Sequence, residues 1–423
     1  MIESNPVVPV HDEIASHEVR SEIATIIHSL KKKYETPYGA LYAPYDIDTV
    51  QKIKALGDQL TKLNSHFFVL IGIGGSSLGT LAVANALRIN TKDFLCADTI
   101  DDRDTSELLA QFRAKLAQGQ RAILCMVTKS GTTAETIINS ALFLEVLKEY
   151  HPDDYNKYIV VISDANSPLD VLARQESYHL LSIPQAVGGR YSVFTAAGLF
   201  PLMMLGVNIE QFCKGAHDAL RSALDESIEI NEAAQCALML YAHYEKGYIL
   251  HNLFVFSHSM RDLAQWYKQL IGESLGKELN RAGERVEVGF IPFVSQGTAD
   301  LHSVAQVYLA GPRTLLTSFL LDATESNNLS IPSNKIGSLL PGMEGSLVTT
   351  VKSAIIKGTI AAFKKQKRPT LVTHLSQTPE QIGAFMALKM VETILLGKLL
   401  NVNPFDQPAV ELYKQETRIF LKN

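Results

Sequence analysis

The sequence predicts an α/β fold, with parallel β-sheets covered on both faces by helices and divided between two domains. Three observations predict it. Short apolar segments recur along the chain, each followed by a longer stretch of helical periodicity. Those segments are continuously apolar rather than alternating, the mark of strands buried on both faces. And 423 residues with 46% hydrophobic content exceed one ordinary core.

The alternation starts near Tyr45. His66–Ile73 (HFFVLIGI), Phe94–Asp98, Ala122–Thr128, Tyr158–Ser163 and Leu180–Ile183 read as five strands with helices in the gaps. His251–Phe256, Val288–Val294, Arg313–Leu320 and Thr370–Leu375 read as a second set, with helical patterns at Arg261–Ile271 and Leu347–Gln366 between them. Such strands connect by right-handed crossovers. The two sets divide near residues 205–215. The expected organisation is an N-terminal arm (1–45), a first domain (46–210), a second domain (211–398) and a C-terminal arm (399–423). The basic run Lys364–Arg368 reads as a helix C-terminus, where cations meet the negative end of the dipole.

Composition excludes several classes. The net charge is -5, from 39 basic and 44 acidic residues, which argues against a nucleic-acid partner. No apolar run reaches the length of a membrane span, and the N-terminus lacks the basic and apolar regions of a secretory signal. Cys96, Cys125, Cys213 and Cys236 show neither C-x-x-C nor metal-ligand spacing. The expected home is the cytoplasm.

The segment Thr128–Thr136 (TKSGTTAET) lies where a strand gives way to a helix. Ligands of parallel sheets bind at such carboxyl ends, and an unpaired helix N-terminus favours an anion. The hydroxyls of Thr128, Ser130, Thr132 and Thr133, the charge of Lys129 and the close approach allowed by Gly131 fit a phosphate monoester. The competing reading is a plain helix cap by Thr132 or Thr133. The pattern is not that of a Walker loop. A second Gly-rich turn, Gly72–Gly79, carries the start of a dinucleotide fingerprint, but Ser77 stands where its third glycine belongs. Gly75–Gly79 and Gly272–Gly276 both match G-x-S-x-G, yet the latter follows a helix and the former has no evident triad partners.

Other polar residues gather without a packing reason. Arg190 follows two glycines. Glu273 sits at a helix C-terminus, where the dipole raises a carboxylate's affinity for a proton. His302 lies just inside a helix start, and Gln407 and Lys414 open the last helix. A base, a histidine, two cations and a phosphate cradle suit metal-free proton abstraction beside the carbonyl of a phosphorylated substrate.

Taken in order, IGIGGSSLG, TKSGTTAET, VGGRYSVFTAAG, QLIGESLGKE, QGTADLHSVAQ and FDQPAVELYK resemble the glucose-6-phosphate isomerase family across residues 70 to 414. The resemblance implies two sugar-isomerase (SIS) domains, each a doubly wound parallel sheet in a three-layer αβα arrangement. It also implies a homodimer with sites at the subunit interface and no cofactor or metal. Thr128, Ser130 and Thr133 would hold the sugar phosphate, with Lys129 and Thr132 beside them, and Gly75 and Ser76 would close over it. Glu273 would carry the proton between C1 and C2, and Arg190 would face the enediolate. His302, from the partner subunit, and Lys414 would open the sugar ring, while Gln269 and Gln407 would contact substrate. Ala409 and Gln185 depart from the family pattern. Two rivals are a non-catalytic sugar-phosphate-binding regulator, which needs only the cradle, and an isomerase that also accepts mannose 6-phosphate.

Overall fold

The computed structural model describes residues 2–5, 13–90, 92–323 and 328–420. Parts of both expected arms, at 6–12 and 421–423, lie outside the described residues. The chain begins with strand β1 (Ile2–Asn5) and the helix Glu13–Leu30, which rests on the helix Pro379–Leu399.

β2 (Phe67–Ile71), β3 (Phe94–Ala97), β4 (Ala122–Val127), β5 (Ile159–Ser163) and β6 (His179–Ser182) form one parallel sheet in the order β3-β2-β4-β5-β6. Every residue of β2, β4 and β5 is buried. The two phenylalanines that open β2 show why the run is continuously apolar. Phe67 packs on Phe112, 5.7 Å between ring centres, while its neighbour Phe68 meets Phe200 at 6.2 Å on the other face. Alternate side chains of a strand point to opposite faces, and here both faces carry helices.

The second sheet contains β7 (Leu250–Val255), β10 (Ile291–Gln296), β11 (Leu315–Asp322) and β12 (Thr370–Leu375) in the order β1-β12-β11-β7-β10. A small hairpin, β8 (Lys277–Leu279) and β9 (Arg285–Val288), stands between β7 and β10. All pairs in the main sheet are parallel except β1 with β12. Phe254 and Phe319 stack towards Phe363 on one face. On the other, Leu253 and Leu320 face Tyr267 and Phe385.

The expected strand Val288–Val294 is corrected: Val288 ends β9 and Ile291 starts β10. Gly289 separates them at φ +136, hard against Gly276 and the Leu275 carbonyl, so the backbone turns where an apolar run suggested continuity. Arg313–Leu320 likewise shifts to Leu315–Asp322.

Each sheet is wound the same way. Leaving the antiparallel β1 aside, the first strand of each sheet (β2 or β7) has the second on one side and the third on the other. Each sheet therefore has a switch point, β2/β4 in one and β7/β11 in the other, where ligand crevices form. The helices leaving the two central strands, Leu78–Ala86 and Arg261–Leu275, pack against each other. Asn85 bonds Asp262 at one end of this pair, and Gln269 lies beside Gly74 at the other. The packing is thus antiparallel, and it delivers the C-terminal turn of the second helix to the first switch point.

Candidate active site

The hydroxyl loop hangs from the end of β4, beside β2 at the switch point. Thr128 is buried, and its Oγ1 lies 2.8 Å from Thr133 Oγ1. Thr133 occupies the N-cap of the helix Ala134–Tyr150 yet makes no side-chain cap bond. The plain-cap reading is therefore corrected: the hydroxyl turns towards the loop, and the helix N-terminus keeps no acceptor from its own cap residue. Ser130 Oγ accepts from the Thr132 main-chain N–H at 3.3 Å and contacts Thr133 Oγ1 at 3.5 Å. Ser163 Oγ supports the loop from below by donating to the Thr128 carbonyl at 2.7 Å. Lys129 donates to the Gln185 carbonyl at 2.6 Å, tying the loop to the segment that leads into Arg190.

The turn after β2 lies between this loop and the charged residues. Gly74 adopts φ +58, and a Cβ placed on it would meet Gln269 Nε2 at 3.3 Å. Gly75 lies directly against Gly189. Ser192 Oγ, at 3.2 Å from the Gly75 carbonyl and 2.7 Å from the Gly189 carbonyl, donates within the same contact. Neither Thr133 nor Ser77 caps its helix with a side chain. Two uncapped helix N-termini thus converge on the crevice, a setting that favours an anion.

Arg190 is 1% exposed. Its five N–H groups find five acceptors: Ser274 Oγ at 2.7 Å from Nε, Glu273 Oε2 at 3.1 Å and Gln407 Oε1 at 2.7 Å from Nη1, and the carbonyls of Pro404 at 2.7 Å and Asp406 at 3.1 Å from Nη2. The other oxygen of Glu273 accepts from Gln269 Nε2 at 2.8 Å. The Glu273 side chain keeps 33% of its surface exposed, so the carboxylate is held on both oxygens and still reaches the cleft. The helix C-terminus alone disfavours this charge; Arg190 offsets it.

Sequence reasoning missed two participants in the same motif. Ser274 bridges Arg190 and the Tyr191 hydroxyl, the latter at 3.0 Å. Lys277 Nζ donates to the Glu273 carbonyl at 2.7 Å and the Asp406 carbonyl at 2.8 Å. Burial and then the Arg190 guanidinium hold this ammonium below the usual lysine range, against the pull of Asp406 and Glu273. Their only signal in sequence was adjacency to Glu273.

Among the described residues, no hydrogen bond or ion pair ties His302 or Lys414 to this cluster within one chain. His302 is exposed on the short helix Ala299–Ser303, and among the described residues it shares no hydrogen bond or ion pair with Glu273, Arg190 or Gln407. Lys414 bonds Glu411 of its own helix at 2.7 Å. That helix, Val410–Phe420, buries none of its residues and exposes Leu412, Tyr413, Ile419 and Phe420.

The competing motifs lack support. Ser77 is 2% exposed and, among the described residues, shares no hydrogen bond with a His or Asp side chain. Gly272–Leu275 lies inside a helix rather than at an elbow. Among the described residues no group of three or more His, Cys, Asp or Glu is placed to hold a metal ion, and no helix is long and apolar enough to cross a membrane.

Residues 54–422 match the model of a family described as phosphoglucose isomerase. A glucose-6-phosphate isomerase of Carboxydothermus hydrogenoformans is 30% identical over 413 residues, covering 94% of this chain and 88% of the relative. One from Thermus thermophilus is 31% identical over 384 residues, covering 90% and 89%. Among solved structures, a hypothetical protein of Thermus thermophilus superposes with TM-score 0.89 at 28% identity, covering 100% of both chains. A glucose-6-phosphate isomerase of Chlamydia trachomatis shares the fold at TM-score 0.76 and 22% identity, covering 88% of this chain and 73% of that one.

Proposed function

Because the chain belongs to the phosphoglucose isomerase family, we propose that its reaction runs in the β2/β4 crevice with Glu273 as the proton carrier. The reaction is the reversible isomerisation of glucose 6-phosphate and fructose 6-phosphate, a step of glycolysis and gluconeogenesis. What carries the site assignment is the Glu273 carboxylate, held by Gln269 on one oxygen and Arg190 on the other, across the Gly-rich turn after β2 from the hydroxyl cradle.

The phosphate sits on Thr128, Ser130 and Thr133, with Lys129 and Thr132 beside them and the two helix N-termini beneath. Gly75 and Ser76 form the adjoining wall. Glu273 takes the proton from C2 of the open aldose, and the electrons move towards O1, leaving a cis-enediolate. Arg190 is already fixed when that charge develops, so it stabilises the charge without reorganising. A proton passes from O2 to O1 of the enediolate, Glu273 returns its own proton to C1, and C2 becomes the ketose carbonyl. Gln407 and Gln269 orient the carboxylate and the sugar.

Ring opening belongs to His302 and Lys414, and neither reaches Glu273 of its own chain. We assign them through a homodimer in which His302 enters the partner's crevice and the exposed last helix docks on the assembly. The same proposal places one sugar-isomerase domain at 46–210, the other at 211–398, and arms at 1–45 and 399–423. The four free thiols suit a reducing cytoplasm.

The test is formation of glucose 6-phosphate from fructose 6-phosphate, with chelator present and Glu273→Gln alongside. Loss of about 10²–10⁴ in kcat in the variant, with substrate binding kept, is expected. Near wild-type turnover by Glu273→Gln would remove the base assignment. Failure of wild-type turnover with sugar-phosphate binding intact would leave only the binding reading.

A further inference from the structure

We infer that Lys277 is a positioning residue for the isomerisation: its ammonium locks the main chain of Glu273 against the segment that delivers Gln407. The inference rests on Glu273 as the proton carrier.

Lys277 lies just past the end of the helix Arg261–Leu275. The last carbonyls of a helix have no partner within it, and the Glu273 carbonyl is one of them. Lys277 Nζ caps it at 2.7 Å, and a cation there is favoured by the dipole. The same nitrogen reaches the Asp406 carbonyl at 2.8 Å and Asp406 Oδ1 at 3.4 Å. Two hydrogen bonds and one ion pair thus join Glu273 to Asp406, which lies far along the chain.

The Asp406 carbonyl also accepts from Arg190 Nη2 at 3.1 Å. Two cations therefore converge on one oxygen, and the next residue, Gln407, completes the grip on Arg190. A neutral donor could cap two carbonyls without burying charge beside a guanidinium. The Lys277 side chain is nonetheless 5% exposed, a costly placement for an ammonium that is repaid only by good acceptors. Its charge lies beside the cleft in which Glu273 works, where fixed positive charge favours an anionic intermediate. The charged and titratable groups around Glu273 are Arg190 and Tyr191 from the segment Gly189–Phe194, Asp406 from the C-terminal segment, and Lys277 itself. Gln269 and Gln407 contribute neutral dipoles.

The experiment compares wild type with Lys277→Met and Lys277→Arg, with Glu273→Gln alongside. For Lys277→Met we expect kcat to fall about 10- to 100-fold, as for a small misplacement of a catalytic group, with KM changed by less than about threefold. The acid limb of kcat/KM should move up, because a cation near Glu273 is gone. Lys277→Arg keeps the charge but not the single nitrogen shared by two carbonyls, so kcat should fall severalfold with the acid limb unmoved. If Lys277→Met does not fold, Lys277→Arg decides, and wild-type kcat in it overturns the inference. Loss of turnover in Lys277→Met matched by loss of folded protein, with an unmoved acid limb, overturns it too. Turnover retained by Glu273→Gln removes the base assignment itself; an inactive Glu273→Gln beside a wild-type-like Lys277→Met removes only the role of Lys277.

Discussion

Gly75 and Gly189 meet main chain to main chain: a Cβ built on Gly75 would lie 2.1 Å from the Gly189 carbonyl carbon and 2.7 Å from the Arg190 nitrogen. No rotamer change relieves such a clash, since both partners are backbone. Gly75→Ala must separate the turn after β2 from the segment that aims Arg190. We expect a stability loss of about 1–3 kcal/mol and turnover reduced by more than about 100-fold. Gly358→Ala is the control, because nothing lies within 4 Å of its Cβ position and its backbone lies outside the left-handed region. Activity of Gly75→Ala equal to that of the control would refute the contact.

Thr133 separates capping from binding. A cap hydroxyl is worth about 1 kcal/mol of stability, but Thr133 makes no such bond. Thr133→Val also leaves the buried Thr128 hydroxyl without its partner, so stability should fall by about 1–3 kcal/mol, read from the denaturation midpoint. It should raise KM for the sugar phosphate by about tenfold or more, the worth of one hydrogen bond to a charged group. An unchanged KM would remove Thr133 from the cradle.

The separation of His302 from its own Glu273 cluster predicts complementation. Glu273→Gln and His302→Ala homodimers should each be nearly inactive. Mixed and re-annealed in equal amounts, they form heterodimers with one intact and one doubly altered site. Recovery should approach about one quarter of wild-type activity in an isologous dimer. No recovery despite exchange of subunits would place His302 in its own chain's site.

Acid stability depends on His251. This ring is fully buried in the second sheet, bonded through Nε2 to Ser318 Oγ at 2.8 Å. Burial, and then Lys389, push its pKa down to about 3. The unfolded chain takes up a proton near the ordinary histidine value of about 6.5, while the folded chain does not. Stability from this residue is therefore complete above that pH and declines as pH falls towards 3, by up to about 1.4 kcal/mol per unit. Burial lowers His243 in the same direction. In His251→Gln the decline between pH 6.5 and 4.5 should be shallower by about one proton's worth, read from urea midpoints. An unchanged slope would contradict the buried neutral ring.

The central strands were legible because burial on both faces forbids polar residues, so β2, β4 and β5 announce themselves. The hydroxyl loop was legible because several hydroxyls at a strand end have no packing use. Strand β1 was not: Ile2–Asn5 is too short to show a pattern, and its pairing depends on β12, far along the chain. Lys277 carries no such signal, since its acceptors are main-chain carbonyls, which every residue possesses. Glu273 and Arg190 could be named from sequence, but not the sharing of the Asp406 carbonyl by two cations. His302 and Lys414 mark where one chain's sequence and one chain's fold both stop short.

The five-acceptor knot around Arg190 also sets a clock. Its partners lie 83 to 217 residues downstream. A ribosome adding about 5–20 residues per second leaves that guanidinium waiting roughly 10–40 seconds for Gln407 to exist. A nascent or prematurely terminated chain can complete the first sheet and its hydroxyl loop, yet it holds an arginine with most of its acceptors missing. On the proposed site, unfinished product also lacks the proton carrier Glu273 until that residue is made, and it exposes a polar group that the finished chain conceals.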